Sequence, residues 1–168
     1  MQMFKILSGI AASLCLALVF TQAQAEQKND KMMKGNIVQT VEAEGNFTIL
    51  VKALRATGLD KELQAKGPYT LFAPTDEAFK KLGQDKLDDL MKPENKAKLA
   101  NILKYHVVTG KVMTDQLEGK KTEVTTIDQR MLDVDGTDGI MVENAKVIEP
   151  NMKATNGVVQ GVDTVFIP

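Results

Sequence analysis

Two hydrophobic periods divide this chain: apolar residues return every three or four positions between Asn36 and His106, then alternate in short runs toward Pro168. The first period predicts helices. Asn36 is placed to cap the first of them, and Phe47, Leu50, Val51 and Leu54 form a stripe facing a core before Gly58 offers a left-handed stop. Asp60 opens a short helix through Ala65, and Lys66-Gly67-Pro68 breaks it. Tyr69 to Ala73 reads as a strand that runs into Thr75, an N-cap. Asp76 and Glu77 then put negative charge in the first helical turn, where the dipole and the unpaired amides favour it. Further helical stretches cover Lys86 to Met91 and a segment starting near Pro93, on which Leu99, Ile102, Leu103 and His106 share one face.

From Tyr105 the pattern is that of strands, interrupted by a helical turn from Thr114 to Leu117. Arg130 to Val134 and Ile140 to Glu143 pair as a hairpin, with Asp135-Gly136 and Gly139 supplying the positive-φ residues of its connection. Helices packed on short antiparallel strands predict an α+β domain, mostly helical in its N-terminal half and strand-rich in its C-terminal half, rather than alternating βαβ units.

The first residues read as an address. Lys5 precedes an apolar run from Ile6 to Phe20, and Ala23-Gln24-Ala25 has small residues at both positions that a signal peptidase needs, which predicts a signal peptide over residues 1–25. The run is shorter than the roughly 20 residues of a membrane-crossing helix. Cys15 follows the bulky Leu14 where a lipoprotein signal wants a small residue, so export with release is expected, to the periplasm or the medium, without membrane insertion. Glu26 to Gly35 form a polar leader expected to be mobile, and residues 36–168 suit one domain. The whole chain carries a net charge of −1, and losing Lys5 makes it more negative, far from the basic excess that binds nucleic acid.

Residue types exclude more chemistry than they offer. Once Ser8, Ser13 and Cys15 leave with the signal, no serine or cysteine remains and His106 is the single histidine, so Ser-His and Cys-His nucleophilic machinery is out of reach. One imidazole is a poor basis for zinc. Gly157-Val158-Val159-Gln160-Gly161 lacks the interval of a nucleotide loop and opens into a strand. Asp133 to Gly139 resembles a calcium loop only until Asp138 falls where glycine must bend the chain and Asn144 where a bidentate glutamate belongs. Met131 and Met141 are expected to fill core gaps, and the methionines form no cluster for copper. Asn46-Phe47-Thr48 fits a glycosylation sequon beside a core-facing phenylalanine. No metal, cofactor or catalytic residue is expected.

Three segments in fixed order carry a family likeness: Tyr69 to Phe79, the pair Tyr105-His106 within Leu103 to Val108, and Ala154 to Pro168. Over Asn36 to Pro168 the chain resembles a single-domain, exported member of the fasciclin-like domain family. The resemblance implies a wedge-shaped β-sandwich with helices packed on it, and adhesion or matrix interaction without turnover. It also marks Tyr105 and His106 as contact candidates. In Glu149-Pro150-Asn151-Met152, an asparagine stands where integrin-binding relatives carry the aspartate that could hold a receptor's metal ion, so that mechanism is not expected here.

Architecture competes with binding for most of these residues. On its apolar face, His106 reads as a buried imidazole meeting Asp76, Thr75 or a nearby backbone carbonyl. Asp163 reads as a carboxylate satisfied by backbone amides, and Thr155-Asn156-Gly157 as a turn. The leading expectation is a monomeric interaction module for a protein or a cell-surface, matrix or envelope component. A carrier with an apolar cavity between sheet and helices is the alternative, and a hydrolase would need convergent carboxylates among Asp76, Asp163 and Glu149.

Overall fold

The computed structural model describes residues 35–65 and 67–168; the expected signal peptide, its cleavage after Ala25, Cys15 and the leader before Gly35 lie outside the described residues. The first helix, α1 (Ile37–Glu44), begins at a capping box: the Asn36 side chain accepts from the Gln39 amide at 3.0 Å and the Gln39 side chain accepts from the Asn36 amide at 3.1 Å. It ends at Gly45 with φ 75°, a break that the apolar spacing did not reveal. Helix α2 (Thr48–Thr57) has Phe47 at its N-cap and stops at Gly58 with φ 79°, followed by α3 (Leu59–Glu62). Phe47 has no side-chain oxygen to offer, so the cap comes from elsewhere in the chain. The Asp76 carboxylate accepts from the Ile49 amide at 2.8 Å and from the Thr48 hydroxyl at 2.7 Å.

Strand β1 (Tyr69–Pro74) leads through Thr75, whose hydroxyl accepts from the Ala78 amide at 3.3 Å, into α4 (Asp76–Leu82). Then come α5 (Gln84–Leu90), a 3₁₀ turn at Pro93–Asn95, and α6 (Lys96–Tyr105). The strand-rich half follows: β2 (Val107–Thr109), the short α7 (Thr114–Leu117), β3 (Lys121–Thr125), β4 (Met131–Asp135), β5 (Met141–Val142), β6 (Ala145–Ala154) and β7 (Gly157–Val162). The α+β class and the division into a helical first half and a strand-rich second half are as expected.

The seven strands form one sheet in the order β2-β1-β7-β6-β5-β4-β3. Every named neighbouring pair is antiparallel except the second from the β2 edge, where β1 and β7 run parallel from Tyr69↔Gly157 to Pro74↔Val162. That corrects the antiparallel expectation. A parallel pair needs a long crossover, and here everything between the two strands supplies it. Strand β6 shifts register twice, between Val147 and Glu149 and between Glu149 and Met152, and so bends. The outer strands meet through a bridge between Val108 and Thr126, with the Ile127 amide on the Val107 carbonyl at 2.8 Å.

Folding the sheet over in this way makes two apolar layers. Leu71, Ala73, Val107 and Val159 join Leu50, Leu54, Phe79 and Leu103 under the helices. Their strand neighbours Phe72 and Val108 face the other way, into a second cluster with Leu132, Val134, Val142 and Phe166. Strands β1 and β2 are thus covered on both faces, and each fully buried Leu, Val or Phe contributes about 1.5–3 kcal/mol of burial.

Candidate functional site

The Tyr105-His106 pair sits where α6 hands over to β2, and its two side chains part company there. His106 is 0 % exposed. A carbonyl only accepts, so the 2.7 Å contact between Nδ1 and the Ile102 carbonyl puts the proton on Nδ1 and leaves Nε2 to accept from the Phe166 amide at 3.1 Å. The ring lies stacked on Phe166, with centroids 4.6 Å apart. Burial lowers the imidazole to a pKa of about 4, against the upward pull of the Ile102 carbonyl. Of the partners expected for this ring, the backbone carbonyl is the one observed. Thr75 and Asp76 are engaged elsewhere, and the ring ties α6 to the final segment; the first strand is reached by the His106 carbonyl, which accepts from the Phe72 amide at 2.8 Å.

Tyr105 stays half-exposed. Its hydroxyl lies 3.3 Å from Glu143 Oε1 and 3.4 Å from the Met131 carbonyl, while its ring meets Phe166 edge-on and the Arg130 guanidinium stands 5.8 Å from its centroid. Desolvation, then the Glu143 carboxylate, raises the phenol above its usual range. Met131, beside it, is 63 % exposed and therefore fills no core gap, contrary to expectation. Val134 and Leu132 take the inward positions of β4 by alternation, which leaves Met131 facing out.

Thr75, Asp76 and Asp163 gather at the Pro74–Val162 end of the parallel β1–β7 pair. The Thr75 amide donates to the Val162 carbonyl at 3.1 Å, and the Asp76 amide to the Asn46 carbonyl at 2.9 Å. Asp163 accepts from the Lys146 amide at 2.9 Å and lies 3.4 Å from Lys81 Nζ. Desolvation pulls this carboxyl up, but the Lys146 amide, the Thr164 hydroxyl and Lys81 outweigh it, so it sits below the usual carboxylate range. Glu149 accepts from Asn46 Nδ2 at 3.1 Å. The carboxylates of Asp76, Asp163 and Glu149 thus accept from separate donors.

Thr155, Asn156 and Gly157 lie at the opposite, Tyr69–Gly157 end. Asn156 Oδ1 accepts from the Ile37 amide at 2.9 Å, Nδ2 donates to the Leu63 carbonyl and to the Ala65 carbonyl at 3.3 Å, and the Asn156 carbonyl accepts from the Tyr69 amide at 3.1 Å. The Thr155 amide donates to the Gly35 carbonyl at 2.9 Å. A Cβ on Gly157 would lie 1.9 Å from the Tyr69 carbonyl oxygen, so only glycine permits this strand approach.

One polar lock escaped the sequence reading. Asn151, with a left-handed φ of 56°, sits in the bent part of β6; its Oδ1 accepts from the Thr114 amide at 3.1 Å and its Nδ2 donates to the Thr114 hydroxyl at 2.6 Å. Gln160, 1 % exposed, accepts from the Asn151 amide at 2.8 Å and donates to the Val112 carbonyl at 3.1 Å. A polar residue inside the apolar run Val158 to Val162 was the available signal. The asparagine at 151 thus uses both ends of its amide within the fold.

In the connection between β4 and β5, Asp135 accepts from the Thr137 amide and hydroxyl and pairs with Lys121 at 2.8 Å, which holds its carboxyl at about 2, with Lys121 the leading cause. Gly139 has the expected positive φ, 82°. Gly136 does not: it is needed because a Cβ there would fall 1.9 Å from the Leu117 carbonyl oxygen. Among the described residues, no group of three or more His, Cys, Asp or Glu side chains is arranged to hold a metal ion, and no helix is long and apolar enough to cross a membrane. A surface groove of about 470 Å³ runs between α4, α5, α6 and the C-terminal segment, lined by the aliphatic Leu82, Leu90, Ile102 and Ile167 together with the charged Asp85, Lys86 and Asp89.

Comparison with known proteins adds family context. A Fasciclin domain model matches residues 45–168. Protein sll1483 of Synechocystis sp. is 39% identical over 79% of this chain and 73% of that protein. Cell surface glycolipoprotein MPB83 of Mycobacterium bovis is 35% identical over 61% of this chain and 44% of its own length. Among solved structures, a FAS1 domain pair from the insect cell adhesion molecule fasciclin I superposes with a TM-score of 0.72 at 15% identity, covering 80% of this chain and 51% of that one.

Proposed function

The chain belongs to the fasciclin domain family, and from that premise we propose that it is an exported, monomeric, non-catalytic module that binds a protein or another cell-surface, matrix or envelope component. The observation that carries this reading is the division of labour between neighbours: His106, Asp76, Asp163, Asn156 and Asn151 are all occupied in fastening the fold, whereas Tyr105, Arg130, Met131 and Glu143 form a surface patch with a half-buried aromatic ring, an exposed guanidinium and an exposed thioether. Rings and guanidinium groups are the side chains that most often anchor protein interfaces. An integrin-type contact through the segment at 149–152 is not part of the proposal, because Asn151 brings no carboxylate and its amide is engaged with Thr114.

The test is retention of the mature domain on immobilised envelope or host-cell extract, with Tyr105→Ala and Arg130→Glu in parallel. Retention that falls at least about tenfold in both variants, each melting close to the parent, supports the patch. Equal retention of all three proteins removes it. Carriage of an apolar small molecule is the second reading, favoured by the aliphatic groove at Leu82, Leu90, Ile102 and Ile167, although that groove opens outward instead of lying between sheet and helices. A fluorescent fatty acid that binds the parent and is lost in Ile167→Asp would favour carriage over adhesion.

A further inference from the structure

Asn156-Gly157 is the only Asn-Gly dipeptide in the sequence, and the fold requires both members of it. Asparagine is needed at 156 because one side chain must accept from the Ile37 amide and donate to the Leu63 and Ala65 carbonyls. An aspartate could do only the first. Glycine is needed at 157 because any Cβ there meets the Tyr69 carbonyl oxygen at 1.9 Å. Asn-Gly is also the pair in which a backbone nitrogen most easily reaches the side-chain amide of the preceding residue, since glycine has no Cβ to shield it. The protein therefore keeps its most hydrolytically labile pair at a joint that neither residue can leave.

We propose that Asn156 is a deamidation site, reactive only in molecules whose α1 and α3 have released the β6–β7 turn. The Gly157 nitrogen attacks Asn156 Cγ, the Cγ–Nδ2 bond breaks, and ammonia departs with the proton from the Gly157 amide, leaving a succinimide. Water then opens the ring at either carbonyl to give aspartate or isoaspartate, so the net change is water in and ammonia out, without oxidation or reduction. In the closed fold the attack is blocked: Oδ1 is held by the Ile37 amide, Nδ2 by two carbonyls, the Asn156 carbonyl by the Tyr69 amide, and the preceding Thr155 amide by the Gly35 carbonyl. Release of the amide needs the start of α1 to fray and the Leu63 and Ala65 carbonyls beyond α3 to withdraw, which is a local opening rather than global unfolding. Return is barred after reaction, because the new carboxylate faces the Leu63 and Ala65 carbonyls with no donor and isoaspartate lengthens the backbone of a turn that joins two paired strands. The site thus records opening of this end of the molecule, irreversibly.

The purified chain is incubated in mildly alkaline buffer and the peptide containing residue 156 is followed by mass and by isoaspartate content, in the parent, in Asn36→Ala and in the parent unfolded by urea. Asn36→Ala removes the capping box of α1 without touching the reacting pair, and the loss of such a cap raises the frayed population about fivefold. Deamidation about fivefold faster than the parent is therefore expected in that variant, with the urea-unfolded chain fastest. Should Asn36→Ala prove too unstable to handle, urea concentrations below the unfolding transition serve instead, and the rate must climb with them. Equal rates in folded and unfolded chain, or a rate in Asn36→Ala no greater than the parent's, would overturn the proposal.

Discussion

The two ends of the parallel β1–β7 pair are joined by opposite chemistries. Where Tyr69 meets Gly157, a neutral amide does the fastening: Asn156 reaches α1 and the end of α3 through three hydrogen bonds. Where Pro74 meets Val162, the fasteners are ionisable: Asp76 caps α2, Asp163 holds the Lys146 amide and Lys81, and His106 holds the chain just beyond β7 by the Phe166 amide. An amide donates and accepts at any pH, so the first end does not respond to acid. The second end depends on the Asp163 carboxylate staying charged and the His106 imidazole staying neutral. The same strand pair therefore has one end indifferent to protons and one sensitive to them.

Breaking the neutral end has the largest expected effect. Gly157→Ala forces apart β1 and β7, since the Tyr69 carbonyl oxygen and carbon, 1.9 and 2.8 Å from the added carbon, are backbone and cannot yield cheaply, and a loss of about 3 kcal/mol is expected in urea unfolding. His106→Ala attacks the other end almost as hard. It removes a buried ring and strands the Phe166 amide and the Ile102 carbonyl, at a cost of about 3 kcal/mol. An unchanged melting midpoint for His106→Ala would mean that the imidazole fastens nothing.

Acid should separate the two ends without a mutation. His106 has a folded pKa of about 4, lower than in the unfolded chain, so above about pH 6.5 both states are neutral and its full contribution is present. As pH falls below that value the unfolded chain takes up a proton that the fold refuses, and about 3 kcal/mol is lost by the time pH reaches the folded pKa. Asp163 acts lower, because its depressed carboxyl adds stability above the ordinary carboxylate pKa and loses it as pH drops through the folded value. Melting followed across this range should fall in two stages for the parent, and His106→Ala should lack the upper one. Hydrogen exchange should accelerate first at Phe166 and leave the Ile37 amide protected; simultaneous loss at both would dissolve the distinction between the ends.

Local chemistry explains which parts of this arrangement were legible in the sequence. Thr75, Asn36, Gly58 and the turn from Thr114 to Leu117 are decided within a few residues of themselves, and each lies where the residue pattern put it. Asp76 was read for its own helix, and its role on α2 was invisible because Thr48 and Ile49 reach it across 28 and 27 positions. His106 could be read as buried from its apolar face, but its partner Phe166 lies 60 residues on. The parallel pairing of β1 and β7 and the Asn151–Gln160–Thr114 lock are equally nonlocal. Periodicity reports which face of an element is inward, not which distant backbone group it will meet there.

The smallest expected effect lies at Asp76, where chemistry from one end can be transplanted to the other. Asp76→Ala removes the acceptor of the Ile49 amide and the partner of the Thr48 hydroxyl, and should cost about 1 kcal/mol, as the loss of a helix cap does. Asp76→Asn keeps an oxygen for Ile49, while the Thr48 hydroxyl can turn to accept from the new amide. What it loses is the negative charge at the start of α2, worth about 0.5 kcal/mol at a surface helix end. A measured loss for Asp76→Asn as large as that for Asp76→Ala would assign the fastening to charge; a loss near zero would make the ionisable end, at this residue, no different in kind from the amide at Asn156.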